Sequence, residues 1–496
     1  MAHQTSALRS YLLLGLSIFV YTLLVSVFVQ FLLLPQVFPA WHAGHGLIAG
    51  GDMPGFHRIA VELAEKIQTQ GWSAWELRPA GQAPAGIAAA LYALVAPEPW
   101  TMIPINAALH ALAGVLLMRI LLFFDPRWKL AFLAILPLVL FPSAATWYSQ
   151  LGKDGFSVAG YLASVLGWLF LGKFTTKPGT KKLVAGLALI LIGAGLVWIV
   201  RLYAVEMLWV LSGPAAALVT VVLVVNVARR RHAKTWALSG TAISWFAFLA
   251  LGAMAAGGYI AEPYPIDIDL RATEEQTYAG KEQPPEAARS SQISGGEEQP
   301  LGAGGGRAND EPRSQGSGTV VWSRANWMPN AIDERLYSLA VTRKGFTTMF
   351  PDAASNVDRE ITFNAAEEVF EYLPRAATIA LLYPTPADWL GEGSLPQNTL
   401  MRRIAGLEMI WIYFALFVLS YAVWRWRRRI ELWLLLLFSF GMLIAHALVV
   451  ANLGTLYRMR YPYLMSLVGL ALFAGLIALS EIRSRRSTKR MLEAET

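Results

Sequence analysis

Residues 140–158 read LFPSAATWYSQLGKDGFSV. Apolar runs flank this stretch on both sides, and Lys153 and Asp154 stand together between them. Adjacent charges between two long apolar runs decide how the whole chain is read. A run of about 20 apolar residues spans a hydrocarbon core of roughly 30 Å. Charges at the edge of that core are costly and usually mark a pathway or a site.

Outward from this stretch the same pattern repeats. The 496 residues are 55% hydrophobic and only 15% charged, less charge than a soluble domain carries. Spanning helices are expected at about 11–35, 100–124, 129–146, 153–173, 183–201, 203–228, 236–259, 404–424, 430–451 and 459–480. The chain is therefore read as an all-α, polytopic membrane protein of about ten spans. The first run is too long for a signal-peptide core and lacks a small-residue cleavage site, so it is expected to be retained. There is no cysteine, which excludes disulfides, thiolate metal sites and cysteine nucleophiles. The net charge of +7 is ascribed to cytoplasmic loops, not to nucleic acid.

Basic residues orient the scheme. The segments DPRWK (125–129), GKFTTKPGTKK (172–182), RRRHAK (229–234), RWRRR (425–429) and RSRRSTKR (483–490) hold 19 of the 41 Lys and Arg. All fall on one side if both termini are cytoplasmic. Residues 84–95, PAGIAAALYALV, are apolar but too short to span. They are placed as a re-entrant or interfacial helix in a first external loop, 36–99. In that loop Ile59, Leu63 and Ile67 recur at helical spacing, which predicts an amphipathic helix on the membrane surface.

A second external region, 260–403, separates an N-terminal membrane module, 1–259, from a C-terminal one, 404–496, with a basic tail. Residues 271–318 are rich in Gly, Pro, Ser, Glu and Gln and are expected to be disordered. Residues 320–375 are expected to form a small cap. Residues 372–390 return as a short apolar stretch broken by prolines. No internal repeat of the kind inverted-repeat transporters carry is visible.

In this topology Lys153, Asp154, Arg201, Arg458 and Arg460 all lie at external helix ends, and Asp52 lies in the first external loop. Each has a structural reading. An Arg at a helix end snorkels to lipid headgroups. Asp154 suits the positive end of a helix dipole. Asp52 suits a turn or helix cap after Gly50 and Gly51. His57 reads as an interfacial polar residue more readily than as a ligand. The combination points further. External loops are poor in Lys and Arg, yet here cations concentrate at the membrane boundary. Fixed cations at that depth suit a phosphate on a membrane lipid, and a carboxylate facing them suits proton abstraction from a hydroxyl.

The same residues carry a family resemblance. One N-terminal helix is followed by a large first loop with an early Asp, here Asp52 in GGDMPGFH. Then come GQAPAGIAAALYALVAPEPWTMIPINAAL (81–109), FPSAATWYSQLGKDGF, IVRLYAV, YLPRAATIALLYPTPADW and NLGTLYRMRYPY. In order and in membrane side, this chain resembles the GT-C superfamily of membrane glycosyltransferases, close to bacterial members related to protein O-mannosyltransferases and the aminoarabinose transferase. The resemblance implies transfer of a sugar from a polyprenyl-phosphate donor to a glycan, lipid or protein acceptor, with inversion, on the external face of the inner membrane. It implies Asp52 as general base, and Lys153, Arg201, Arg458 and Arg460 on the donor phosphate. Asp154, His57 and Tyr457 take supporting roles. The first loop has no DxD, so no metal is assigned, and no cofactor beyond the lipid-linked substrate. A lipid-linked sugar flippase, or a polysaccharide polymerase or ligase, is the alternative. A flippase should carry charge at mid-membrane, whereas the spans read as nearly free of central charge apart from His446. A third reading is an envelope scaffold that binds through 260–403; it would not need the boundary cations.

Overall fold

A computed structural model describes residues 2–230, 233–260, 320–349 and 353–495. The segment 271–318 lies outside the described residues, apart from which the expected order of helices is present. The first helix is α1 (Ala2–Phe28), continued by a π-helical turn, Val29–Val37. The first loop contributes α2 (Met53–Gln70) and α3 (Ala83–Leu94). Then follow α4 (Ile103–Leu122), α5 (Trp128–Leu140), α6 (Pro142–Tyr148), α7 (Asp154–Phe174), α8 (Thr180–Val200), α9 (Leu202–Ala228) and α10 (Lys234–Ile260). The second loop holds α11 (Asn330–Met349) and α12 (Ala366–Leu382). The chain closes with α13 (Pro396–Trp426), α14 (Ile430–Val449), the short α15 (Leu453–Met459) and α16 (Tyr461–Glu495). Among the described residues there is no strand, only isolated bridges such as His42 with Ile48.

Nine of these helices are long and apolar enough to cross a membrane: α1, α4, α7 to α10, α13, α14 and α16. The tenth expected span, 129–146, is not one straight helix. It breaks into α5 and α6, bent by 61°. The cause is local. Proline disfavours helical geometry in the residue before it, and Phe141, before Pro142, has ψ of 131°. The break exposes the first amide groups of α6, and a buried carboxylate answers them. Glu408 of α13 accepts from the Ser143 backbone N–H at 2.9 Å and from its hydroxyl at 2.8 Å.

One apolar core runs from Leu14 to Ile477, so the two membrane modules pack as one body. At its centre α7 is buried along nearly its whole length. It meets α8 through two glycine pairs. A Cβ on Gly160 would lie 2.6 Å from the Gly193 carbonyl, and one on Gly167 would lie 2.5 Å from that of Gly186. Small residues at such crossings let backbones approach in the absence of water-driven packing. The pairs are seven residues apart on each helix and fix an antiparallel register. Carried to the helix ends, that register sets Asp154 opposite Ile199, two residues before Arg201.

The first loop forms its own small core. Phe56, Ala60, Leu63 and Ile67 of α2 are buried against Ala85, Ala88 and Tyr92 of α3. The apolar face expected to rest on lipid is thus covered by the neighbouring short helix. Local periodicity cannot tell these two partners apart. In the second loop Arg343 of α11 is buried and donates to the carbonyls of Ile361, Asp358 and Leu448. Its bond to Leu448 fastens this cap to the end of α14.

Candidate functional site

The site gathers where four segments end: the first loop, the start of α7, the α8–α9 link and α15. Asp154 opens α7 and Arg201 is the single residue between α8 and α9. Their side chains are 3% exposed and paired, with Arg201 Nη2 2.8 Å from Asp154 Oδ1. Arg458, from α15, bridges this pair to the first loop. Its Nε is 3.6 Å from Asp154 Oδ1 and its Nη2 is 3.3 Å from Asp52 Oδ2. Lys153 places its ammonium 5.3 Å from the centre of the Phe56 ring. Three cations and two carboxylates therefore meet at one end of the helix bundle, with one positive charge in excess when all are ionised.

The local chain explains each placement. Asp52 precedes the first turn of α2, but its side chain makes no cap hydrogen bond; it faces Arg458 and stays 44% exposed. The loop before it is held by Gln150, which accepts from the Ile48 N–H at 2.9 Å and donates to the Gly46 carbonyl at 3.1 Å. Gly46 has φ of 74° and would place a Cβ 2.7 Å from Gln30, so no other residue fits this turn without strain. α15 is capped by Asn452, whose side chain accepts from the Thr455 N–H at 3.1 Å and donates to Ser355 at 2.9 Å. The cap and the helix that bears Arg458 are thereby joined.

Burial leaves several of these groups under-satisfied. Asp154 Oδ2 and the Nε atoms of Arg201 and Arg458 are buried without a hydrogen-bond partner among the described residues. Buried polar atoms are normally paired, and these three atoms of adjoining side chains are not. The electrostatics agree. Burial, helped by repulsion from Arg201 and Arg458, pushes the Lys153 ammonium down to about 8 against the pull of Asp52 and Asp154. Asp154, then Asp52, hold Arg458 above the ordinary arginine range despite its burial.

Three of the expected residues lie elsewhere or act differently. Arg460 does not join the cluster. It is buried and donates to the carbonyls of Ile379 and Ala380 at 3.1 and 2.8 Å; its charge closes the C-terminal end of α12. Tyr457 turns away from Arg458 and donates to Glu408 at 2.6 Å. His57 meets Tyr92 at 2.9 Å, and its ring lies 4.7 Å from that of His45, tilted by 44°; burial and then His45 hold it below the usual histidine range. Asp154 supports Arg201 and Arg458 more directly than it does Lys153.

Two contributors escape a reading of motifs. Glu408 is buried within the helix read as a span, and a carboxylate inside an apolar run is itself a signal. Gln150 sits in the opening stretch but carries no charge to draw attention. His446, the expected central charge, is buried with its Nδ1 2.8 Å from the Met442 carbonyl. No family model, no curated protein and no solved structure matches this chain.

Proposed function

We propose that the protein is an integral membrane glycosyltransferase that moves a sugar from a polyprenyl-phosphate donor to an acceptor hydroxyl. One observation carries this reading: Asp52, half-exposed, faces a partly buried cluster of Lys153, Arg201 and Arg458 at one end of the bundle. The cations supply charge-assisted donors for the donor phosphate. Asp52 is the exposed carboxylate and takes the acceptor proton. The acceptor oxygen then attacks the anomeric carbon, the bond to phosphate oxygen breaks, and the electron pair leaves with the lipid phosphate. Arg458 touches both carboxylates, so it links the base to the phosphate-binding cations. Asp154, buried behind them, is a positioning residue.

The basic clusters lie at the other end of the helices, which supports a site on the external face of the inner membrane with both termini cytoplasmic. Gathering of the two carboxylates and three cations at a helix end, not along the spans, favours transfer over carriage across the membrane. Arg460 has no part in this reading. The test is direct. Purified protein with radiolabelled polyprenyl-phosphate sugars and candidate acceptors should yield labelled acceptor, and Asp52→Asn should abolish it. Wild-type turnover in Asp52→Asn on a verified donor–acceptor pair would refute the mechanism.

A further inference from the structure

The opposite end of the bundle holds a second charged site. A cavity of about 430 Å³ lies between the ends of α7 and α9 and the turn from α13 to α14. The rise of 1.5 Å per residue puts it about 30 Å along α7 from Lys153. Its polar rim includes Lys173, Thr176, Asn226 and Arg427 to Arg429.

Most of these cations are already engaged. Lys173 is 3.4 Å from Glu431. Arg429 donates to the carbonyls of Phe123 and Phe124 at 3.0 and 2.9 Å. Arg427 donates to the Trp424 carbonyl. Arg428 is exposed and has no ion pair or hydrogen bond among the described residues. The rim thus keeps a net positive charge with one arginine uncommitted.

The cavity also has an apolar side. Leu218 and Val222 line it together with Asn226. These residues recur every four positions and form one face of α9, about 12 Å long. Val225 and then Val221, next around the helix from Leu218, are exposed, so this face borders lipid on one side. Trp433, also exposed, stands at the rim, as aromatic residues do at a membrane interface.

We infer that this cavity binds an anionic phospholipid, with its phosphate on Arg428 and an acyl chain along Leu218 and Val222. The shared chemistry with free phosphate is the anion. The apolar leg decides for the lipid, because inorganic phosphate has no use for it. The inference does not rest on glycosyl transfer, since the two sites lie at opposite ends of the bundle.

Native mass spectrometry tests it on the full chain, delipidated in neutral detergent. Phosphatidylglycerol, phosphatidylcholine and inorganic phosphate are offered separately. One phosphatidylglycerol should be retained at least about five-fold better than phosphatidylcholine, and Arg428→Gln should erase about five-fold of that, as one cation near a surface is worth. Val222→Trp fills the apolar leg without changing charge and should displace the lipid. Equal retention of both lipids, or no effect of Arg428→Gln, overturns the proposal. So does binding of inorganic phosphate with the same Arg428 dependence while lipid is not retained. Arg428 is exposed, so its variant should fold even if Val222→Trp does not.

Discussion

The two ends of the helix bundle treat charge in opposite ways. At the Lys153 end, Asp154 and Arg201 are paired at 3% exposure. At the other end Arg127 and Arg425 share Glu481 at 2.7 and 2.8 Å, with side chains 24–36% exposed. The second arrangement is ordinary. Partly solvated ion pairs cost little to form and contribute little. The first is costly, because desolvation of a buried pair can exceed its Coulomb gain. A fold stabilised only by apolar packing would not need it. The difference lies in the pairs themselves: the Asp154–Arg201 pair is buried and under-satisfied, whereas the Glu481 pairs stay partly solvated.

The largest effect should come from breaking the buried pair. Arg201→Ala leaves Asp154 buried without its closest partner, and should destabilise the protein by ~3–5 kcal/mol. Asp154→Asn combined with Arg201→Gln should cost less than Arg201→Ala alone, because no charge is then left alone. Thermal unfolding in detergent measures both. A loss under about 1 kcal/mol for Arg201→Ala would place the two ends in one class.

Asp52→Asn comes next. It should lower turnover about 100-fold or more while leaving unfolding nearly unchanged, because Asp52 is 44% exposed. If Asp154→Asn is inactive and Asp52→Asn is not, the base belongs to the buried pair instead.

The third effect is a pH limit. Lys153 holds its proton with a value lowered to about 8 by burial. Its cation is present below that pH and lost as pH rises through it. Donor affinity, measured by equilibrium binding, should therefore fall above about pH 8. Lys153→Arg should carry the limit upward, because arginine keeps its charge throughout this range. A flat profile between pH 7 and 9 would remove Lys153 from the phosphate site.

Much of this fold is legible in the sequence, for a physical reason. Runs of apolar residues read as spans because a bilayer demands length and little else. The five basic clusters were expected on one side, and the structure joins their neighbourhoods at one end through Arg127 and Arg425 on Glu481, Arg429 on Phe124, Lys173 on Glu431 and Asn226 on Thr175. Asp52, Lys153, Asp154, Arg201 and Arg458 come together as their shared depth suggested. Arg460 does not, although it is two residues from Arg458. Depth is set by sequence position, but direction on a helix end is set by tertiary partners, here the open carbonyls of α12. The break at Pro142 shows the same limit. Residues 129–146 read as one span, but the chain breaks before Pro142, and Glu408, 265 residues from Ser143, accepts from the amide that the break opens.

The smallest expected effect lies at the ordinary end and completes the comparison. Glu481 is about a third exposed and accepts from both Arg127 and Arg425. Solvent screens the pair, so Glu481→Gln should cost no more than about 1 kcal/mol near neutral pH. The cost should shrink toward acid pH, where the wild-type carboxyl also becomes neutral, and at high salt. Turnover should not change, because the site lies at the far end of the helices. Unfolding of both proteins at pH 7 and pH 4 checks the sign, and a turnover assay checks the distance. A loss of several kcal/mol, or of activity, would mean that charge at this end carries as much as charge at the other.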